Sequence, residues 1–228
     1  MTLNLVVLGP PGAGKGTQAE RLARGRSIPK VSTGDILRDA VDAGTEIGRR
    51  VKSVMGRGEL VSDDVVTAIV RERLGRPDAH EGFVLDGFPR TVAQAEALDG
   101  IVDGRGALIV VHVHVPEEEI VRRLGARLIC ANCGTNARVP AAAAGQLEAR
   151  CERCGGPLVQ RNDDQQAVIL ERLKVYHRQT EPLIEYYRDR PTFREVNGAQ
   201  LPERVASELA EAVDAAHRSA TTARGVRQ

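Results

Sequence analysis

Leu3-Asn4-Leu5-Val6-Val7-Leu8-Gly9-Pro10-Pro11-Gly12-Ala13-Gly14-Lys15-Gly16-Thr17 is the stretch on which the fold turns. Leu3–Leu8 is a short, nearly continuous apolar run rich in β-branched residues, the pattern of a strand buried on both faces. A glycine-rich loop follows, and a helical pattern leads on from it through Leu22 and Ala23. Glycines let successive backbone N–H groups turn inward around an anion, and the start of a helix adds a favourable dipole. Gly12, Ala13, Gly14, Lys15, Gly16 and Thr17 are therefore candidate phosphate ligands, with the Lys15 ammonium on the terminal phosphates of a nucleoside triphosphate. The generic phosphate-loop pattern ends Gly-Lys-Ser/Thr, and here Gly16 stands where the hydroxyl is expected. A dinucleotide loop fails on spacing, because Gly12, Gly14 and Gly16 do not make G-x-G-x-x-G. An ordinary strand–helix turn is the bland alternative.

Outward from this stretch the rhythm continues. Phe83–Leu85 and Leu108–Val115 are further short apolar runs, and Phe193–Val196 is short enough to be one more strand. Helical periodicity runs over Asp63–Arg73, Pro116–Leu124, Asp164–Tyr187 and Pro202–His217, the last with Val205, Leu209 and Val213 at four-residue spacing. Strands alternating with helices predict an α/β fold: a P-loop NTPase-type parallel sheet flanked by helices. Only residues from about Leu128 to Gln160 break the rhythm, with two cysteine pairs and the small-residue run Pro140–Gly145. That segment reads as an inserted miniature domain. Thr221–Gln228 has no apolar pattern and reads as a frayed, disordered tail.

The chain of 228 residues is long enough to bury a core without disulfide staples. A formal net charge of +1 gives no reason to expect a nucleic-acid or membrane surface. No apolar run reaches the length of a membrane span, and the strand-like start has no basic leader, so a cytoplasmic protein is expected.

All four cysteines lie in Cys130-Ala131-Asn132-Cys133 and Cys151-Glu152-Arg153-Cys154, seventeen residues apart. That spacing fits a four-thiolate zinc site. Four thiolates close a tetrahedral shell and leave no open position, so the metal is expected to be structural. A segment of this size with few large apolar side chains cannot bury a core of its own, and zinc would supply the folding energy instead. Redox chemistry is the weaker alternative, since neither pair precedes a helix.

Three motifs together carry a resemblance. The loop ending Gly-Lys-Gly-Thr, the segment Ser32-Thr33-Gly34-Asp35-Ile36-Leu37-Arg38 and the strand end Leu85-Asp86-Gly87-Phe88-Pro89-Arg90, with Gln94 one turn on, resemble the nucleoside monophosphate kinases. With an insertion of this length the chain is most similar to the long-form bacterial adenylate kinases with a four-cysteine zinc lid. The match extends from Leu3 to about Gly198.

The resemblance implies a core of residues 1–31, 62–126 and 161–228, a helical AMP-binding insertion at 32–61 and a zinc lid at 127–160. It implies reversible transfer of the ATP γ-phosphoryl group to AMP, giving two ADP, with Mg²⁺ on the donor. The AMP site would then be Thr33, Arg38, Glu59, Leu60, Val61, Gly87, Phe88, Pro89, Arg90 and Gln94. The loop residues, Arg123 lying against the base, Arg127 on the phosphates and the backbone near Gln200 would hold ATP. Arg161 and Arg172 would bridge the two nucleotides, and Asp86 would orient Mg²⁺ through its waters. Lys15, Arg90, Arg127, Arg161, Arg172 and Asp86 are the catalytic candidates. The guanidinium groups suit this chemistry because they pair phosphate oxygens and neutralise a loose transition state. Thr33, where UMP and CMP kinases commonly have Ala, favours adenine.

There are departures. Gly134-Thr135-Asn136-Ala137-Arg138 lacks the aromatic or His usual in that lid strand, Leu128 replaces a second arginine, and Gln200 replaces a frequent Lys. His112 and His114 share one face of a strand and read as a polar strand end. A kinase for UMP or CMP is the nearest rival, and a zinc-ribbon nucleic-acid binder is the rival from another class. A monomer with no nucleic-acid or membrane partner is expected.

Overall fold

The computed structural model describes residues 2–137 and 150–225. Its strands are β1 (Leu3–Leu8), β2 (Lys30–Ser32), β3 (Gly82–Asp86), β4 (Leu108–His114), three short ones, β5 (Leu128–Cys130), β6 (Asn136–Ala137) and β7 (Leu158–Val159), and finally β8 (Phe193–Asn197). Five of them form a parallel sheet in the order β2-β3-β1-β4-β8. β1 lies between β3 and β4, so the chain order reverses beside it. In open parallel sheets the crevice at the carboxyl ends of the strands at such a point is where ligands bind. The loop leaving β1 therefore enters that crevice.

The central strands β1, β3 and β4 are largely apolar because both faces are covered. Leu5 and Val7 of β1 face one side with Val84, Ile109 and Val111. There they meet α1 (Lys15–Arg26), α6 (Glu117–Gly125), α7 (Gln166–Val175) and α9 (Pro202–Gly225). Val6 and Leu8 face the other side with Phe83, Leu85 and Val110, under α4 (Asp63–Leu74), α5 (Val92–Val102) and α8 (Pro182–Arg188). The expected stripe of Val205, Leu209 and Val213 is buried. α9 runs on to Gly225, so residues 221–225, expected to fray, continue the helix; 226–228 lie outside the described residues.

Asp164–Tyr187, expected as one helix, is broken. A 3-10 turn spans Asn162–Asp164, α7 follows, and a π-helical turn at Tyr176–Thr180 leads into α8. Pro182 is the reason. It has no N–H for the carbonyl four residues back and its ring would clash there. The turn takes in one extra residue, and the Glu181 N–H donates to the Tyr176 carbonyl five residues back at 2.9 Å. His112 also departs from expectation. It is 3% exposed, within reach of Glu195 at 3.3 Å and of the Tyr176 hydroxyl at 3.5 Å, so it belongs to the interior and not to a polar strand end. Tyr176, brought inward by the π turn, covers it.

Residues 33–56 form two helices, α2 (Thr33–Asp42) and α3 (Glu46–Gly56). The Ser32 hydroxyl accepts from the Asp35 N–H and the Thr45 hydroxyl from the Gly48 N–H, capping each start. β5, β6 and β7 form a separate antiparallel sheet in the order β6-β5-β7. The run Pro140–Gly145 and Arg138 lie outside the described residues. Among the described residues no helix is long and apolar enough to cross a membrane.

α2 and α3 approach so closely that a Cβ on Gly48 would stand 1.9 Å from the Ala40 carbonyl oxygen. Gly48→Ala should therefore force the two helices apart and cost about 1–3 kcal/mol, the range for overpacking. Gly25→Ala, in open space on α1, should instead stabilise by roughly 0.4–1 kcal/mol. Urea denaturation of both variants checks the pair; a Gly48→Ala protein as stable as the parent contradicts the close approach.

Candidate active site

The glycine loop delivers α1 into the crevice. Gly14 caps the helix in the left-handed region, φ 87°, where a side chain would be strained. Lys15 folds back so that its Nζ donates to the Pro10 carbonyl at 2.8 Å. The departure at Gly16 has a local cause. A Cβ there would come within 3.1 Å of Asp86 Oδ2 at the end of β3, so a Ser or Thr would press on that carboxylate. The Asp86 carboxylate thus lies beside the phosphate loop.

A cleft opens between the loop, α2 and the end of β3, lined among others by Lys15, Thr33, Arg38, Arg90, Gln94 and Arg172. Gly87 organises its floor: its carbonyl accepts from the Thr33 hydroxyl and from Arg90 Nε, each at 2.8 Å. The Thr33 hydroxyl proton is thus already committed, leaving its oxygen free to accept. Leu60, Val61 and Pro89 line the wall with Glu59, whose carboxylate is paired with Arg57. Phe88 differs. It is 1% exposed, packed in the core, and does not line the cleft as its neighbours Gly87 and Pro89 do; the Phe88–Pro89 peptide is cis. Gln94 is buried, with Oε1 accepting from the Arg90 N–H and Nε2 donating to Asp63.

Cations converge on this cleft. Enclosure among protein groups brings the Lys15 ammonium down to about 7; Asp86 opposes the fall, and Arg90, Arg172 and Arg127 add to it. Burial, then the neighbouring Arg172, lowers Arg90 to about 10. Burial, then Arg38 and Arg127, does the same to Arg161. Burial also lowers Arg172. Arg161 Nε is buried with no hydrogen-bond partner among the described residues. A cluster of like charges in this arrangement is electrostatically suited to an anion.

Carboxylates that sequence reasoning left out of the site hold these cations apart. Asp164, with a wholly buried side chain, accepts from Arg127 Nε at 2.7 Å and from Arg172 Nη1 at 3.1 Å. Asp163 pairs with Arg172, and Asp35 pairs with Arg38 and lies 3.8 Å from Arg161. Burial would raise the Asp163 carboxyl, but Arg172 and Arg161 hold it below its usual range. The local signals for these roles are the acidic pair at 163–164, which follows Arg161 and Asn162, and Asp35 within the segment Ser32–Arg38. Thr180 was also missed. Its hydroxyl donates to the Arg90 carbonyl at 2.9 Å, a contact created by the π turn.

Two expected ATP ligands are engaged elsewhere. Arg123 Nε donates to Glu119 at 2.7 Å. The Gln200 amide donates to the Asn197 carbonyl at 3.1 Å and to Glu208 at 2.7 Å. Away from the cleft, the sulfurs of Cys130, Cys133, Cys151 and Cys154 all lie within 4.8 Å of one another. The pairs Cys130–Cys154 and Cys133–Cys151 are 3.4 and 3.7 Å apart. A tetrahedral site with Zn–S of about 2.3 Å needs sulfurs about 3.8 Å apart, so the set fits a four-coordinate thiolate site.

Known proteins resemble this chain over most of its length. The family model described as adenylate kinase matches residues 7–192. The chain is 49% identical over 209 residues to an adenylate kinase of Archaeoglobus fulgidus, covering 91% of this chain and 96% of that protein. It is 50% identical over 188 residues to one of Caldicellulosiruptor bescii, covering 82% and 87%. A third, from Rhizobium etli, is 45% identical over 214 residues, covering 91% and 97%.

The depressed Lys15 has a measurable consequence. With a pKa of about 7 it is mostly neutral at pH 8 in the free protein. A bound polyphosphate favours the cation and raises that pKa, so binding at pH 8 should take up a proton, and binding at pH 6 should not. Calorimetry in two buffers of different ionisation enthalpy reads this directly. Equal proton uptake at both pH values would contradict it.

Proposed function

Because the chain belongs to the adenylate kinase family, we propose that its own residues carry the family's reaction, ATP + AMP ⇌ 2 ADP, in the following way. The observation that carries the reading is the convergence of Lys15, Arg90, Arg127 and Arg172 beside the phosphate loop, with Arg161 next to Arg127 and Arg38. Backbone N–H groups of Gly12–Thr17 cradle the ATP phosphates, and Lys15 leaves the Pro10 carbonyl to reach the terminal ones. Arg127 holds the donor; Arg161 and Arg172 span donor and acceptor. Arg38 and Arg90 hold the AMP phosphate, while Thr33, Gln94 and the backbone of 59–61 meet its base. Mg²⁺ bound with ATP would neutralise donor charge, and Asp86 is the carboxylate placed to orient it.

The transition state of phosphoryl transfer is loose, so positioning and charge neutralisation do most of the work. Cations that repel one another in a buried cleft gain most when charge accumulates on the transferring group. Closure of the two insertions, at 32–61 and 127–160, would exclude water and spare ATP from hydrolysis. Arg123 and Gln200 enter this scheme only through backbone or after leaving their present partners.

The four thiolates are read as a structural zinc site in a monomeric enzyme of the cytoplasm, whose reducing environment keeps the thiols available. Support comes from the spacing of the sulfurs and the absence of an open ligand position in a four-thiolate set.

Initial rates with ATP and each of AMP, UMP, CMP and GMP test the acceptor; AMP should lead, and a UMP rate above the AMP rate would sink this assignment. Lys15→Ala should lower kcat by about 10²–10³, the scale for losing one preorganised charge at a developing anion. Chelation at constant Mg²⁺ should lower the melting temperature while leaving KM for AMP and ATP nearly unchanged below the new transition. Loss of activity from a lid that stays folded would count against a structural role.

A further inference from the structure

Gln94 is 1% exposed, and both ends of its amide are held. Oε1 accepts from the Arg90 backbone N–H at 2.8 Å, and Nε2 donates to Asp63 Oδ1 at 2.7 Å. The two partners are of opposite and fixed kind, because a backbone N–H only donates and a carboxylate only accepts. Half a turn of the amide would set NH₂ against N–H and carbonyl against carboxylate. Both bonds would be lost and two repulsive contacts made in a buried place. The orientation of this amide is therefore dictated by its surroundings.

Asp63 is itself anchored. Its Oδ2 accepts from the Thr91 hydroxyl at 2.9 Å, and Thr91 Oγ1 accepts from the Gln94 N–H at 3.2 Å. Asp63 opens α4 and Thr91 caps α5, so the starts of two helices clamp one side chain. Gln94 lines the cleft, whereas Asp63 stands behind it.

Each end of the amide keeps one more hydrogen-bonding position, a second hydrogen on Nε2 and a second lone pair on Oε1. The Watson–Crick edge of adenine presents an acceptor at N1 and a donor at its 6-amino group. A 6-oxopurine, hypoxanthine or guanine, presents the reverse order. A freely rotating glutamine would serve either base; a clamped one serves one. We propose that Asp63 is a specificity-determining positioning residue that fixes the Gln94 amide in the order suited to adenine and so excludes 6-oxopurine monophosphates. The proposal rests on Gln94 contacting the acceptor base, as read above.

Steady-state kinetics with AMP and IMP at saturating ATP test it in the parent, Asp63→Ala, Asp63→Asn and Gln94→Ala. The parent should prefer AMP over IMP by about 10² or more in kcat/KM, because a mismatched base leaves buried polar groups unpaired. In Asp63→Ala, KM for AMP should rise about tenfold, the scale of one lost buried hydrogen bond. The AMP/IMP ratio should fall by a similar factor, with kcat and KM for ATP little changed. Asp63→Asn keeps an acceptor for Gln94 and offers its NH₂ to the Thr91 hydroxyl, so it should restore the ratio.

An unchanged AMP/IMP ratio in Asp63→Ala overturns the proposal. So does an Asp63→Asn enzyme as permissive as Asp63→Ala, which would assign the effect to charge at the start of α4. Should Asp63→Ala not fold, the parent decides: IMP used within a factor of about ten of AMP overturns the clamp. Gln94→Ala with KM for AMP unchanged removes the underlying reading of Gln94, an outcome distinct from failure of Asp63 to position it.

Discussion

The mutual repulsion of buried cations is the constraint around which this molecule is arranged. Lys15, Arg38, Arg90, Arg127, Arg161 and Arg172 come from five separated stretches of chain and form one linked cluster. Alone they would drive the site apart. Asp35, Asp163 and Asp164 are interleaved among them, and Asp164 accepts from both Arg127 and Arg172 while fully shielded from water. Buried ion pairs of this kind add little net stability, but removing one partner is costly. Their role is to keep the cations in place while leaving enough unbalanced positive charge to attract phosphate.

Close backbone approach is what makes the convergence possible. Gly16 lets the Asp86 carboxylate sit against the phosphate loop, and Gly48 lets α3 lie directly on α2. The sheet order places β3 immediately beside β1, so Asp86 and the glycine loop meet at the same edge of the crevice. Gly87 then serves two side chains with one carbonyl, tying Thr33 at the start of the first insertion to Arg90. Site and fold share these contacts, so neither can be altered without the other.

Much of the fold was legible because its signals are local. Apolar runs marked three of the five sheet strands and Phe193–Val196 was legible only as a strand-length segment, while Lys30–Ser32, three residues with a charged first member, gave no such signal. The glycine loop, the two arginine-bearing motifs and the cysteine spacing were equally legible. The break at Pro182 was visible as a residue, but its outcome was not. A proline can end a helix or be absorbed by an extra residue in one turn, and packing of Tyr176 over His112 is among the contacts of the second solution. His112 looked like a polar strand end for the same reason: alternation tells which side chains share a face, not what covers that face.

By itself, the sequence determined that a strand leads through a phosphate-cradling loop into a helix, that arginines are available for two nucleotides, and that four thiolates can close around one metal. The loop and each cysteine pair follow from residues a few positions apart, and the arginine roles from the resemblance that the short motifs carry. Only the tertiary structure decided which arginines are already committed to carboxylates, why Gly16 replaces a hydroxyl, and which way the Gln94 amide faces. Those depend on partners such as Asp63, Asp86 and Asp164, brought close by the sheet and its insertions across dozens of residues. Hydrogen-bond direction and mutual charge exist only once both partners are in place.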